Sequence, residues 1–138
     1  MIKLRRILQL NHLEWAYLAR AILGLAWARI EFGRASSQSI LGRLQAKAPE
    51  APRCDVDLGR LSWAIGAASR VVPWRSDCLI QSMAAHRWLR NCGFIPTFKL
   101  GVQSDQSGHI LGHAWIEVDG RILTGGAAVE EYRLLISS

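Results

Sequence analysis

Two residues of this sequence have types and positions suited to covalent catalysis, and the first is Cys78. Ser76 or Asp77 can cap a helix by accepting a hydrogen bond from its free N–H groups. Apolar residues then recur at helical spacing, and Gly93 is a typical C-terminal stop. Cys78 is therefore expected in the first turn of a helix, where the dipole and unpaired N–H groups favour a thiolate nucleophile. The alternative is a small core residue, since free cysteines are often buried.

The second residue is His113, in a stretch with the alternating pattern of a strand. Alternation sends two sets of side chains to opposite faces. One set is polar and aromatic: His113, Trp115 and Glu117. The other set is apolar: Ala114, Ile116 and Val118. This pattern indicates a cleft wall backed by core. A cysteine at a helix start and a histidine on a facing strand form the pair used by thiol hydrolases. Alone, His113 could equally be a strand histidine bonded to a neighbour.

The elements that must position this pair are predicted to be helices in the first part of the chain and strands in the last part. Helical periodicity covers residues 4–32, a short segment 38–47, then 57–70 with Asp57 as N-cap, and 77–92. Strand patterns follow at 94–102, 110–118 and 121–123. Asp119-Gly120 lies between two apolar runs and predicts a tight hairpin. Helices followed by a small antiparallel sheet predict an α+β fold.

Composition limits the class of protein. The chain has 138 residues, half of them hydrophobic, which is enough for one domain with its own core. There are 17 basic and 11 acidic residues, giving a net charge of +6. The basic residues are scattered and no base-stacking platform is evident, so we expect no nucleic-acid partner. Three cysteines without disulfide or zinc-site spacing indicate reduced thiols, a cytoplasmic protein and no metal site. No cofactor motif is evident.

The N-terminal helix has a wide apolar face with interface-prone aromatic residues. Glu14, Arg20 and Arg29 interrupt it, which argues against a membrane span. Packing onto the rest of the domain is the simplest interpretation. The wide face would also suit docking to a partner or peripheral contact with a membrane surface, and Trp15, Tyr17 and Trp27 are the residues expected to dock.

Taken together, four motifs resemble the leader peptidases of lasso-peptide biosynthesis, a transglutaminase-like, papain-related cysteine protease family. The motifs are Val-Pro-Trp-Arg-Ser-Asp-Cys-Leu at 72–79, Arg-Trp-Leu-Arg-Asn-Cys-Gly-Phe-Ile-Pro at 87–96, Leu-Gly-Val at 100–102 and His-Ala-Trp-Ile-Glu-Val-Asp-Gly-Arg at 113–121. The resemblance covers about residues 55–126. It implies a peptidase core over 51–138, with residues 1–50 as a helical extension packed on it in one compact domain.

The resemblance also implies a function. The enzyme would remove the leader from a lasso precursor, freeing the amine for macrolactam closure by a separate ATP-dependent cyclase. Cys78 would be the nucleophile and His113 the general base and acid. Some family systems fuse a winged-helix leader-binding module to the peptidase. Such a module does not fit in the first 50 residues, so we expect a separate leader-recognition protein. The alternatives are a non-catalytic or weakly catalytic docking module of the same complex, or a transglutaminase-type acyl transferase.

The third catalytic group is missing from its expected place. Many members of the family carry an acidic residue after the Asp-Gly turn, and the matching position here is Gly125. A regular two-residue hairpin would pair Trp115 with Thr124 and His113 with Gly126. Only a hydroxyl, a backbone carbonyl or water would then be available to orient the histidine. Trp74 and Trp115 are expected to line the substrate site. The Trp74 indole N–H could join the Cys78 backbone N–H as an oxyanion donor.

Overall fold

A computed structural model describes residues 8–45, 54–74, 76–124 and 133–137 of the chain. These residues form four helices and one four-stranded antiparallel sheet, so the α+β prediction is confirmed. The helices are α1 (His12–Arg34), α2 (Ser37–Gln45), α3 (Leu58–Val71) and α4 (Cys78–Asn91). The strands are β1 (Thr97–Ser104), β2 (Ile110–Val118), β3 (Arg121–Thr124) and β4 (Arg133–Ser137).

The N-terminal helix begins later than the apolar pattern predicts. Its first residue is His12, because Asn11 closes a capping box with Glu14. The Asn11 side chain accepts a hydrogen bond from the Glu14 backbone N–H at 2.9 Å, and the Glu14 carboxylate accepts one from the Asn11 backbone N–H at 3.0 Å. Residues 8–11 precede the helix, and the predicted start at residue 4 lies outside the described residues. A capping box fixes the N-terminus of a helix because it satisfies the first free N–H groups. Apolar residues before the box therefore do not extend the helix.

Local chemistry places the start of α3 and both ends of α4 where the sequence predicts them. The Asp57 side chain accepts a hydrogen bond from the Arg60 backbone N–H at 3.0 Å and starts α3. Of the two caps proposed for α4, the structure uses Asp77. Gly93 follows α4 with a φ of 78°, a conformation that glycine adopts without steric cost, and the helix stops there.

The sheet has the strand order β3-β2-β1-β4. The predicted hairpin between β2 and β3 is present, with positive φ values of 50° at Asp119 and 78° at Gly120. Its predicted register is wrong beyond the first pairs. Thr124 pairs with Ile116 instead of Trp115, because a β-bulge shifts the register there. A bulge inserts one extra residue into one strand, and this residue changes which side chains lie opposite each other beyond it. The last strand, β4, pairs with β1 and was not expected.

One hydrophobic core joins the helices to one face of the sheet. α1 packs against α3 and α4, and α4 packs against β2 and β3. The largest fully buried apolar side chains come from both layers: Leu25, Leu61, Ile65, Leu89, Phe98 and Ile116. The N-terminal helix is therefore part of the core. The expected boundary near residue 50 falls in 46–53, outside the described residues. None of the helices described is long and apolar enough to cross a bilayer.

Candidate active site

Cys78 is the first residue of α4, and the turn before it is held by side chains on both sides. The Asp77 carboxylate accepts a hydrogen bond from the Ile80 backbone N–H at 3.2 Å. The Gln81 side chain donates to the Ser76 carbonyl at 3.0 Å. Cys78 is half-buried and packs against the core. The predicted placement is confirmed, and it leaves the thiol beside the N–H groups of the first turn, which are not used within the helix.

One helical turn after Cys78, a buried polar pair joins α4 to the sheet. The hydroxyls of Ser82 and Thr124 lie 3.2 Å apart, and their side chains are 0% and 4% exposed. None of the motifs in the sequence singles out Ser82. A small polar residue four positions after the candidate nucleophile, among apolar neighbours, is the signal that could have found it. Thr124, which a regular hairpin would place opposite Trp115, contacts the helix instead because the bulge shifts its register.

His113 is the fourth residue of β2 and is half-buried. Its ring stacks on Trp115, with centroids 5.8 Å apart and planes inclined by 27°. The predicted division of faces is correct, since Ala114, Ile116 and Val118 on the other face are at most 3% exposed. Thr124 pairs with Ile116, so the two side chains share one face of the sheet. Thr124 also contacts Ser82, which shows that α4 packs on this apolar face.

Trp115 and Glu117 extend the histidine face as a bonded unit. The Trp115 indole N–H donates to Glu117 Oε1 at 3.1 Å, and Lys99 Nζ donates to Glu117 Oε2 at 2.9 Å. The hydrogen bond from Lys99 is the main cause that holds the pKa of Glu117 below its ordinary value, with the Trp115 hydrogen bond acting in the same direction. Trp115 is only 5% exposed. It therefore offers little surface to a substrate and is better placed to hold the His113 ring.

Two polar atoms just before Cys78 are buried and have no hydrogen-bond partner among the described residues. They are the indole Nε1 of Trp74 and the hydroxyl of Ser76. An unpaired buried donor is costly in a folded protein and usually has a reason. Trp74 packs against the core and lies four residues before Cys78 in the chain. A donor held ready beside a nucleophile suits an oxyanion, as the sequence analysis suggested for Trp74.

β2 is paired on both sides within the described residues. Among the residues that the structure describes, β3 pairs with β2 from Ile116 to Val118, with Thr124 opposite Ile116. On the other side, Gly101 of β1 pairs with His113 and brings no side chain against it. Gly125, the position of the missing acidic residue, lies outside the described residues. In the part of the chain that the structure describes, no group of three or more potential metal ligands occurs.

Comparison with known proteins agrees with this architecture. The model of the Transglutaminase-like superfamily matches residues 19–137, a range that includes both Cys78 and His113. Neither a curated protein nor a solved structure gives a significant match to the chain.

Proposed function

The chain belongs to the transglutaminase-like superfamily, and from that membership we propose that it is a cysteine peptidase that removes the leader of a lasso-peptide precursor. The observation that carries this proposal is Cys78 as the first residue of a capped helix that packs on the strand bearing His113. The four sequence motifs shared with lasso leader peptidases support the choice of substrate. A separate ATP-dependent cyclase would then use the amine that cleavage frees.

The reaction follows from the groups near the start of α4. The Cys78 thiolate attacks the scissile carbonyl and forms a tetrahedral intermediate. The Cys78 backbone N–H and the Trp74 indole N–H donate hydrogen bonds to its oxyanion. His113 gives a proton to the leaving amine, which departs as the new N-terminus of the core peptide. His113 then takes a proton from the water that hydrolyses the thioester.

The topology supports a meeting of Cys78 and His113 at one end of the sheet. Five residues connect α4 to β1, so β1 runs back along the helix, and β2 then runs in the direction of α4. Ser82 lies at the level of Ile116, through its contact with Thr124. Moving one turn back along α4, about 6 Å, reaches Cys78. Moving back two residues along β2, also about 6–7 Å, reaches Ala114, next to His113.

The two faces of β2 set a condition on this pairing. His113 points away from the face on which α4 packs. For the two groups to react, the thiol would have to reach the imidazole from the other side of β2.

Leader cleavage by two pairs of variants tests the assignment. Cys78→Ala and His113→Ala should abolish cleavage of a leader-bearing precursor, followed by mass spectrometry, while circular dichroism shows the fold retained. Cys54→Ala and Cys92→Ala are the matched controls, because neither cysteine begins a helix, and both should still cleave. Near wild-type cleavage by a folded Cys78→Ala protein would refute the assignment of the nucleophile, whereas no cleavage by the wild type with all partners present would favour the docking-module alternative.

The same thioester could instead pass to an amine, as in a transglutaminase-type acyl transferase. Superfamily membership supports both outcomes equally. Running the reaction with an added primary amine separates them by product mass. A hydrolysed leader with a free carboxylate supports the peptidase, and a leader amide of the added amine supports the transferase.

A groove between α1 and α4 is the surface we assign to the separate leader-recognition protein. It has a volume of about 330 Å³ and combines apolar with cationic residues, which include Arg20, Leu23, Trp27 and Arg87. The Arg87 guanidinium lies 3.9 Å from the Trp27 ring centroid, and Leu23 is 71% exposed. A partner that presents carboxylates beside apolar side chains would be complementary to it. Holding the leader on such a partner would make delivery effectively intramolecular.

The expected docking aromatics differ in how accessible they are. Trp15 is 44% exposed, whereas the Tyr17 hydroxyl accepts a hydrogen bond from the Asp57 backbone N–H at 3.1 Å. Point variants are better tests than deletion of the helix, because α1 supplies buried core residues, among them Leu18 and Leu25.

Cleavage with and without the leader-recognition protein tests delivery. Leu23→Ser should reduce the acceleration by the partner and leave the slow unaided cleavage unchanged. Ile95→Ser is a matched control, since Ile95 is 73% exposed and does not line the groove. Equal acceleration of the wild type and Leu23→Ser would refute docking in this groove while leaving the assignment of Cys78 and His113 intact.

A further inference from the structure

The fold brings together two cysteines that the sequence presents as unrelated. Cys54 precedes α3 and Cys92 is the C-cap of α4. The Cys54 backbone N–H donates to the Cys92 carbonyl at 2.8 Å. The two side chains are also near enough for the Cys54 thiol to raise the pKa of Cys92. Cys54 is exposed, whereas Cys92 is 2% exposed.

This arrangement satisfies the geometric requirement for a disulfide. Residues joined by a backbone hydrogen bond between adjacent segments have Cα atoms roughly 5–6 Å apart. Disulfides span Cα separations of about 4.4–6.8 Å. Because the backbone hydrogen bond already holds the two residues at this separation, no movement of the backbone on the scale of a segment is needed to join them.

A cation is placed beside the buried thiol. Burial is the main cause that raises the pKa of Cys92, and its contact with Cys54 acts in the same direction. The Arg20 guanidinium opposes both through its charge and a hydrogen bond to the thiol. Arg20 also lies 4.8 Å from the Trp88 ring centroid, so it is anchored next to the pair. A neighbouring cation stabilises the thiolate, the form that reacts in disulfide exchange.

We propose that Cys54 and Cys92 are a redox-active dithiol that forms a reversible disulfide by exchange with a small-molecule disulfide such as glutathione disulfide. The exposed Cys54 thiolate attacks one sulfur of the reagent, breaks its S–S bond and releases one glutathione thiolate. The Cys92 thiolate then attacks the Cys54 sulfur and releases the second glutathione thiolate. The protein loses two protons and two electrons, and the reagent is reduced to two thiols. This proposal does not depend on the peptidase function.

The disulfide would link the two ends of the α3–α4 helix pair. It would tie the segment that leads into α3 to the end of α4, the helix that begins at Cys78. Linking residues that are this far apart in the chain restricts the unfolded state, so the disulfide should raise the melting temperature. Cys78 belongs to the other end of the helix and takes no part.

Peptide mapping of the full chain tests the proposal. The protein is incubated with glutathione disulfide or with dithiothreitol, free thiols are alkylated, and the digest is analysed by mass spectrometry. After oxidation we expect one peptide pair linked through Cys54 and Cys92, with Cys78 outside that pair, and a raised melting temperature that dithiothreitol reverses. Finding Cys54 and Cys92 both alkylated after oxidation, or a disulfide that involves Cys78, would overturn it.

Single variants distinguish the two steps. Cys92→Ser should stop at a glutathione adduct on Cys54, because no second thiol displaces it. Cys54→Ser should lose the rise in melting temperature. Cys78→Ser is the matched control and should keep both the linked peptides and the rise. If Cys92→Ser shows the full wild-type rise on oxidation, the stabilisation has another origin and the proposal fails.

Discussion

The Ser82 hydroxyl lies 3.2 Å from the Thr124 hydroxyl and forms a buried polar contact between α4 and β3. Ser82 lies one turn after Cys78 on α4, and Thr124 lies opposite Ile116 in the sheet. The contact therefore fixes how α4 lies along β2. Because both hydroxyls are shielded from water, each depends on the other for its hydrogen bond.

Removing both partners of this pair should cost less stability than the two single losses added together. Ser82→Ala leaves the Thr124 hydroxyl unpaired, which typically costs about 1–3 kcal/mol. Thr124→Val should cost a similar amount, and the double variant should lose less than the sum of the two. Urea denaturation of the four proteins measures this. Strictly additive losses would show that the two hydroxyls do not interact.

Trp74→Phe should slow catalysis without weakening substrate binding. Phenylalanine keeps an aromatic ring against the core but lacks the buried indole N–H. Loss of one oxyanion donor typically lowers kcat by about 10²–10³-fold. The measurement is steady-state cleavage kinetics, with Trp63→Phe as control because Trp63 is 40% exposed and lies on α3. An unchanged kcat in Trp74→Phe would exclude the indole as an oxyanion donor.

Glu117 should act as a positioning residue for His113 through Trp115. Glu117→Ala removes the acceptor for the Trp115 indole, which frees the ring that stacks on His113. We expect kcat to fall about tenfold with KM little changed, because misplacement affects the chemical step. Glu117→Gln retains an acceptor and should restore most of the rate. If the Gln and Ala variants are equally slow, the role of Glu117 is its charge and the pairing with Lys99.

His86 should make the protein less stable in mild acid. Burial lowers the pKa of His86 from 6.5 to about 4, with the Arg90 cation acting in the same direction and a hydrogen bond with the Leu44 backbone opposing them. Above pH 6.5 the ring is neutral in both states. Between pH 6.5 and 4 the unfolded state binds the proton first, so the free energy of unfolding falls, by roughly 3 kcal/mol in total.

Denaturation at a series of pH values checks this effect. His86→Gln should be less stable at pH 7 but should lose less stability between pH 7 and 4 than the wild type. His12→Gln is the matched control, since His12 is exposed, and it should keep the wild-type slope. A wild-type slope in His86→Gln would assign the acid sensitivity to other groups.

The sequence alone was sufficient for features that depend on neighbouring residues. Asp77 caps the helix that begins at Cys78, Gly93 ends it, and Asp119-Gly120 makes the hairpin. In each case the cause is a side chain or a backbone conformation within a few residues. The two faces of β2 also followed, because alternation is a property of the strand itself. The same local signals were enough to predict the α+β layout.

Only the tertiary structure decided the features that join distant residues. No local pattern specifies the bulge that pairs Thr124 with Ile116, because either register satisfies the same hairpin turn. The Ser82–Thr124 contact depends on that bulge. The Cys54–Cys92 contact likewise depends on how the chain before α3 meets the end of α4. Periodicity in the sequence predicts which face of its helix or strand a residue occupies. Which other residue it contacts on that face depends on how whole helices and strands pack.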